Sequence, residues 1–241
     1  MLYKAIMQKE ISIVLPLRAG SSRVLEKNTR PFDSNGKSLF QHKLEQIVKL
    51  KGEVFEIIIS TNDQKVISQI PDNYLDGKLK LVERPDDLCE STTKVQDLIN
   101  HIEFITNGEA IFWIHATSPF IDASDYIAAL RLYQKVTMEG SNDSVMSVNK
   151  IQQFIWDERK KEVINTNRLV NPWPNTQDLE PLYEVNHAFY INSRKNYREH
   201  KDRIGKNPAL FVCEGLKKID IDWQEDFITA QHLIPYYENG N

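Results

Sequence analysis

Several features are scarce or absent in this sequence of 241 residues, and each absence excludes a class of protein. The two cysteines, Cys89 and Cys213, lie far apart and form neither a disulfide framework nor a metal-binding spacing. No apolar run approaches the roughly 20 residues that cross a bilayer. Residues 1–10 lack the separate apolar core and cleavage site of a signal peptide, so we expect a cytoplasmic protein.

An excess of positive charge is also absent. Lys and Arg together number 30 against 34 Asp and Glu, which gives a formal net charge of −4 at pH 7. Nucleic acids require a basic surface against their phosphates, so we expect no nucleic-acid partner. Hydrophobic residues make up 41% of the chain and charged residues 27%, which indicates one globular domain, residues 1–241, with a sizeable core.

Two common nucleotide-binding motifs are missing as well. The fingerprint G-x-G-x-x-G fails because the loop after the first apolar run contains a single glycine, Gly20. A P-loop fails because its first glycine would fall on Pro31, although Gly36-Lys37-Ser38 imitates its end. No Ser-His-Asp arrangement or nucleophile elbow is visible, so acyl-transfer chemistry has no support.

The chain does contain an alternation of apolar strands and amphipathic helices. Short runs rich in β-branched residues predict strands at 11–17, 54–60, 79–83, 110–115 and 144–148. Helical periodicity lies between them at 40–48, 95–105 and 127–136. This alternation predicts an α/β fold with a mostly parallel sheet flanked by helices. Ligands bind such sheets beyond the carboxyl ends of the strands, so chemistry is expected there.

The alternation stops after Val148. Residues 149–190 contain polar, mixed-charge stretches and the turn-rich run NPWPNT at 171–176, followed by an apolar run at 188–192 that predicts a further strand. We interpret 149–190 as an excursion from the sheet within the same domain, which could form an arm or a subunit contact.

The loop after the first strand combines small residues with three cations, Arg18, Arg23 and Lys27. Small residues let backbone amides turn toward an anion, and Arg and Lys neutralise phosphate charge. The loop therefore suits a triphosphate, although a solvated loop with scattered cations fits the composition equally well.

The motif L-x-L-R-A-G-S-S-R-x-x-x-K-N at 15–28 resembles the signature loop of the sugar-acid cytidylyltransferases, in particular the acylneuraminate (CMP-sialic acid) synthetase family. Four later segments fall in the family's order, each near the end of a predicted strand. They are S-T-N-D at 60–63, R-P-D-D-L with S-T-T at 84–93, T-S-P-F at 117–120, and I-D-I-D at 219–222 followed by Glu225-Asp226. The resemblance runs from about Ile11 to Leu233.

The resemblance implies a Rossmann-like nucleotidyltransferase fold of the GT-A type. It implies transfer of CMP from CTP to the anomeric hydroxyl of a sialic-acid-like, nine-carbon 2-keto-3-deoxy sugar acid, with release of pyrophosphate. It further implies a Mg²⁺ cofactor, a homodimer contact in the excursion and a role in surface glycan biosynthesis. Such a reaction needs little covalent chemistry from the protein, so positioning and charge stabilisation would carry the rate.

The resemblance also implies roles for individual residues. Arg18 and Lys27 would hold the triphosphate and stabilise the departing pyrophosphate, and Asn28 would bind the ribose. The segments around Arg84 and Thr93 would contact cytosine. The other implied nucleotide-binding residues are Leu17, Ala19, Gly20 and Ser21. The implied sugar-binding residues are His115, Gln177 and His187.

Asp220 and Asp222 are separated by one residue, so on a strand both carboxylates would emerge on one face. Two oxygen ligands on a rigid element suit Mg²⁺, which takes one or two carboxylates together with waters and phosphate oxygens. Ordinary surface acids on a half-exposed edge strand have the same spacing. With the loop and the resemblance, we interpret the pair as the metal site.

The chain departs from the family pattern at four places. Ser22 stands where a lysine is common, His115-Ala116 replaces Gln-Pro, Asn175-Thr176 replaces Arg-Arg before Gln177-Asp178, and Asn186-His187 replaces Asn-Gly. The last two departures fall in the sugar half of the site, where His187 or Arg168 could bind the carboxylate instead. His115 is either a substrate contact or a strand-end histidine. Two alternatives stay open: an eight-carbon 3-deoxy-octulosonate-type acid as acceptor, or a nucleotide-binding protein with weakened catalysis.

Overall fold

A computed structural model describes residues 11–240 of the chain apart from Ser22 and Ser91. The strands are β1 (Ile11–Pro16), β2 (Glu56–Thr61), β3 (Leu79–Glu83), β4 (Ala110–Ile114), β5 (Ser144–Ile151), β6 (Trp156–Asp157), β7 (Glu162–Val163), β8 (Leu182–Ser193) and β9 (Pro208–Cys213). The helices are α1 (Leu39–Val48), α2 (Gln64–Ile67), α3 (Val95–Ile105), α4 (Ala123–Glu139), α5 (Arg194–His200) and α6 (Gln224–Gly240).

Seven of these strands form one sheet in the order β3-β2-β1-β4-β8-β5-β9. Only β8 runs against its neighbours; the other pairings in this sheet are parallel. The predicted α/β fold with a mostly parallel sheet flanked by helices is confirmed. None of the described helices is long and apolar enough to cross a membrane.

Alternation along the strands divides the core between the two faces of the sheet. On one face Ile13, Ile57 and Phe112 pack with residues of α1 and α4. On the other face Val14 and Trp113 pack with residues of α3 and α5. Both faces are covered, so the strands read as continuous apolar runs rather than alternating ones.

The segment predicted as an excursion, 149–190, lies partly in the sheet. Strand β5 continues to Ile151 and β8 begins at Leu182, so residues 152–181 are the part that leaves it. This part contains the small hairpin of β6 and β7. Strand β9, which pairs in parallel with β5 at the sheet edge, was not predicted, although Asn207-Pro208 and Gly215 flank its apolar run.

Buried Lys43 on α1 fastens the loop that follows β4. Its Nζ donates hydrogen bonds to the carbonyl oxygens of Ser118 and Ile121, both at 2.8 Å, and to the Tyr126 hydroxyl at 2.7 Å. Burial lowers the pKa of Lys43 to about 7. The neighbouring His42 Nε2 lies 3.0 Å from the Pro119 carbonyl oxygen, so the two side chains together fix the loop at 118–121.

We expect Lys43→Met to lower the free energy of unfolding by about 2–4 kcal/mol, because two buried carbonyl groups lose their donor. Urea denaturation followed by circular dichroism measures the change. Lys49→Met, on an exposed side chain at the end of the same helix, is the matched control and should stay within about 0.5 kcal/mol of wild type. A loss below about 1 kcal/mol for Lys43→Met would mean that the loop is held by other contacts.

Candidate active site

The carboxyl ends of β1 and β4 face a cleft of ≈240 Å³. The chain runs from β1 outward to β2 and β3 and then returns to β4 on the other side of β1, so the strand order reverses here. A crevice at such a reversal is where open α/β sheets bind ligands. The first loop, the end of β4 and Arg84 line the cleft.

Gly20 and Asn62 fix the backbone conformation of the first loop. Gly20 has φ of +72°, a left-handed conformation that favours glycine. The Ala19 amide donates to Asn62 Oδ1 at 3.1 Å, and Arg18 Nη1 donates to the Cys89 carbonyl oxygen at 3.3 Å. Leu17, Arg18 and Ser21 line the cleft, whereas Ser22, the expected lysine position, lies outside the described residues.

Lys27 lies at the centre of a cluster of opposite charges. Its Nζ donates to the Ile221 carbonyl oxygen at 2.8 Å, between the carboxylates of Asp220 and Asp222. Burial lowers the pKa of Lys27, and these two carboxylates partly offset that effect. Arg23 Nη2 forms an ion pair with Asp222 Oδ1 at 2.8 Å. Lys27 and Arg23 of the first loop and the D-x-D carboxylates therefore form one cluster of charges.

The prediction that Asp220 and Asp222 lie on a strand is wrong. Residues 219–222 form an irregular segment between a short 3₁₀ helix, Gly215–Lys218, and α6. Ile221 makes one sheet-like contact, in which its amide donates to the Thr117 carbonyl oxygen at 2.9 Å. The segment is extended without strand pairing because buried Ile221 anchors it in a cluster with Val24 and Phe227.

The donor set at Asp220 and Asp222 fits a hard divalent cation. Asp220 Oδ1 is buried and accepts no hydrogen bond from the described protein groups. Burial, reinforced by Asp222, raises the pKa of Asp220 to about 6, so its carboxylate is poised for a positive partner. Asp222 is half-exposed. No third acidic or His side chain of the described residues joins the pair, which suits an ion that takes its other ligands from phosphate and water.

Of the residues implied to bind the nucleoside, Asn28 and Arg84 line the cleft, whereas Thr93 does not. Arg84 and Asn28 are both buried. Arg84 Nη2 donates to the Ser60 carbonyl oxygen at 3.1 Å, and its Nε makes no hydrogen bond to the described protein groups. Thr93 Oγ1 donates to the Asp87 carbonyl oxygen at 2.9 Å, which closes the turn that carries Cys89 toward Arg18.

Two of the three implied sugar-binding residues lie close together. His115 stacks on Trp113, with ring centroids 5.7 Å apart, and meets Tyr190 edge-on. His187 Nδ1 lies 2.6 Å from the Tyr190 hydroxyl. His187 has φ of +59° and sits where the pairing of β8 with β5 shifts register. Gln177 is exposed on the excursion, and no contact of the described residues joins it to the cleft.

Arg203 is the residue of this region that sequence reasoning missed. Its guanidinium lies 4.4 Å from the Tyr190 ring centroid and 5.1 Å from that of Trp113. It belongs to the loop between α5 and β9, which carries no recognisable motif. Its proximity to the cleft depends on β8 lying next to β4, a long-range pairing that local sequence does not signal.

Comparison with known proteins agrees with this geometry. The family model described as Cytidylyltransferase matches residues 12–239. N-acylneuraminate cytidylyltransferase of Escherichia coli O18:K1:H7 is 27% identical over 225 residues, which are 93% of this chain and 52% of that protein. The chain thus spans about half the length of that relative.

A second relative has nearly the same length as this chain. CMP-N,N'-diacetyllegionaminic acid synthase of Legionella pneumophila is 28% identical over 236 residues, covering 93% of this chain and 96% of that protein. Among solved structures, 4-diphosphocytidyl-2C-methyl-D-erythritol synthase of Anaerococcus prevotii superposes with a TM-score of 0.67 at 19% identity, covering 96% of this chain and 99% of the other. That likeness concerns the fold.

Proposed function

This chain belongs to the cytidylyltransferase family, whose members are nucleotidyltransferases, and on that premise we propose its reaction. It transfers CMP from CTP to the anomeric hydroxyl of a sialic-acid-like, nine-carbon 2-keto-3-deoxy sugar acid and releases pyrophosphate. The hydroxyl oxygen attacks the α-phosphorus, and the bond from that phosphorus to the pyrophosphate oxygen breaks.

The constellation of Lys27 with Asp220 and Asp222 at the cleft is the observation that carries this proposal. In our account Arg18 and Lys27 hold the triphosphate and stabilise the charge that builds on the departing pyrophosphate. The amides around Gly20 bind phosphate oxygens. Asn28 contacts the ribose, and Arg84 with Thr93 shapes the cytosine pocket.

Asp220 and Asp222 would hold Mg²⁺ in this account. When bound, the ion would neutralise phosphate charge and so favour attack on the α-phosphorus. The chain's own contribution is to keep Asp220 in a partly buried position and to hold Asp222 through Arg23 until substrate arrives.

A nine-carbon acid is the acceptor that the relatives favour, since one is named for N-acylneuraminate and the other for N,N'-diacetyllegionaminic acid. The sugar would occupy the end of the cleft near Trp113 and His115. His187 would contribute to the same region through its contact with the Tyr190 hydroxyl. Gln177 lies on the exposed excursion, and in our account it reaches this region from a second subunit.

Pyrophosphate release with CTP and Mg²⁺ across a panel of acids tests the proposal. The panel contains N-acetylneuraminate, pseudaminate-like and legionaminate-like acids, and 3-deoxy-octulosonate. We expect release with a nine-carbon acid. Preferred release with 3-deoxy-octulosonate would establish the eight-carbon alternative, and CTP binding without release on any acid would establish a binding protein.

We also propose that the excursion mediates a homodimer. Leu169 is 99% exposed and Val170 82% exposed, beside the exposed rings of Trp156 and Trp173. A cluster of apolar side chains this exposed on one segment is typical of an interaction surface.

The double variant Leu169→Asp/Val170→Asp is therefore expected to be a monomer, because charge cannot be buried at an apolar contact. Analytical ultracentrifugation at micromolar concentration should give twice the chain mass for wild type and the single mass for the variant. Phe104→Asp, on an 83% exposed side chain of α3, is the control and should remain dimeric. A monomeric wild type would refute the proposed dimer.

A further inference from the structure

Arg203 lies against Trp113, one of the residues that line the cleft. Its guanidinium lies over two aromatic rings, Tyr190 and Trp113. Its Nη2 lies 3.3 Å from His187 Nδ1. A guanidinium stacked in this way keeps its edge, with its paired N–H donors, available to a planar anion.

No carboxylate among the described residues pairs with Arg203. The adjacent Asp202 uses its Oδ1 to accept the Ile204 amide at 3.0 Å. The four cations that line the cleft have other partners. Arg23 pairs with Asp222, and Lys27, Arg18 and Arg84 donate to backbone carbonyl oxygens. Arg203 lies next to cleft-lining Trp113 and has aromatic neighbours and no carboxylate partner among the described residues.

Three unpartnered polar atoms belong to residues that Arg203 contacts or influences electrostatically. His115 Nε2, Trp113 Nε1 and Tyr197 Oη are buried and make no hydrogen bond to the described protein groups. Trp113 contacts Arg203 directly, and Arg203 is among the charges that act on His115 and Tyr197. Burial, and then Arg203, keeps the pKa of His115 well below its usual range, so the imidazole is neutral. Buried donors without partners are costly unless a ligand rich in oxygen supplies acceptors.

We propose that Arg203 binds the carboxylate of the sugar acid and thereby replaces the cations missing at Asn175 and Thr176. The inference rests on the proposed function, because it assigns a residue to the acceptor half of that site. Arg168, the alternative cation, stacks on Trp173 on the exposed excursion, with its guanidinium 5.2 Å from the ring centroid. A bidentate contact from Arg203 would orient the acid so that its anomeric hydroxyl, on the carbon next to the carboxylate, faces the α-phosphate.

Arg203→Ala tests the assignment through separate steady-state constants. We expect KM for the sugar acid to rise on the order of 10- to 100-fold, while KM for CTP changes less than about three-fold. Arg203→Lys should recover part of the loss, because an ammonium supplies charge without the bidentate geometry. Arg131→Ala, at an exposed position of α4, is the control and should leave every constant unchanged. An unchanged sugar-acid KM in Arg203→Ala would overturn the proposal.

A carboxamide analogue of the sugar acid identifies the group that Arg203 contacts. In wild type, KM should be higher for the amide than for the acid, by the same factor by which Arg203→Ala raises KM for the acid. The variant should show little preference between the two compounds. If Arg203→Ala still discriminated fully, or if Arg168→Ala abolished the preference, the carboxylate would be bound elsewhere.

Calorimetric binding of the sugar acid separates this inference from the proposed function. If wild type released no pyrophosphate with any acid, the reaction proposed above would fail. Tight binding by wild type with 10- to 100-fold weaker binding by Arg203→Ala would still support the role of Arg203. Equal binding by the two proteins, or none by wild type, would overturn it.

Discussion

Asp220→Asn is expected to lower kcat on the order of a thousand-fold and, at the same time, to raise the melting temperature of the unliganded protein. The loss of activity follows because the substitution removes one of the two carboxylates proposed to hold Mg²⁺. The gain in stability follows because burial raises the pKa of Asp220 to about 6, so the folded protein resists the ionised form.

The sign of the pH dependence makes this prediction specific. The pKa of Asp220 is higher in the folded chain than the ordinary value of 3.8 for an aspartate. The ionised carboxylate therefore costs stability. This cost is complete above about pH 6, shrinks as the pH falls from 6 to 4, and disappears near pH 3, where both states are protonated. The variant should be more stable than wild type by about 1–3 kcal/mol at pH 8, by much less at pH 4, and equal to wild type near pH 3.

Thermal unfolding at several pH values, together with steady-state turnover, measures both effects. Glu139→Gln, at an exposed end of α4, is the control and should change neither property. An active Asp220→Asn, or one whose stability gain is the same at pH 4 and pH 8, would contradict the role given to this carboxylate.

Lys27→Ala is expected to reduce kcat by about 100-fold or more while KM for the sugar acid changes less than about three-fold. Lys27 is partly buried against the Ile221 carbonyl oxygen and lines the cleft proposed to hold the triphosphate. Its charge would therefore stabilise the departing pyrophosphate. Lys27→Arg should not restore turnover, because the larger planar group cannot occupy the same buried position.

Single-turnover kinetics with pre-bound CTP separates the chemical step from binding. Lys135→Ala, on an exposed side chain of α4, should behave as wild type. A Lys27→Ala enzyme with normal kcat and only a raised KM for the sugar acid would show that Lys27 binds sugar rather than triphosphate.

The residues of the proposed nucleotide half of the site could be named from the sequence because they lie in short segments near strand ends. The loop from Leu17 to Asn28 and the pair Asp220 and Asp222 were found this way, and the structure brings them together around Lys27. Their backbone setting was harder to predict. The I-D-I-D segment has the alternating apolar and polar pattern of a strand. In the structure Ile221 is buried and the two aspartates on either side of it are partly exposed, although the segment is not a strand.

The sugar half depends on long-range pairing and therefore was predicted less completely. Strand β8 lies between β4 and β5, and its register shift turns His187 toward Tyr190. The same placement brings Arg203 to Trp113. No local periodicity encodes which strands become neighbours, so Arg203 could be found only from the fold.

Analysis of the products shows directly whether the chain transfers CMP from CTP to the anomeric oxygen of a sugar acid. The protein is incubated with CTP, Mg²⁺ and the nine-carbon acid that gives the fastest pyrophosphate release, and the products are examined by mass spectrometry and ³¹P NMR. We predict equal amounts of pyrophosphate and a CMP-sugar whose phosphate is joined to the anomeric oxygen. Free CMP with pyrophosphate, or phosphate joined to another hydroxyl, would contradict the account.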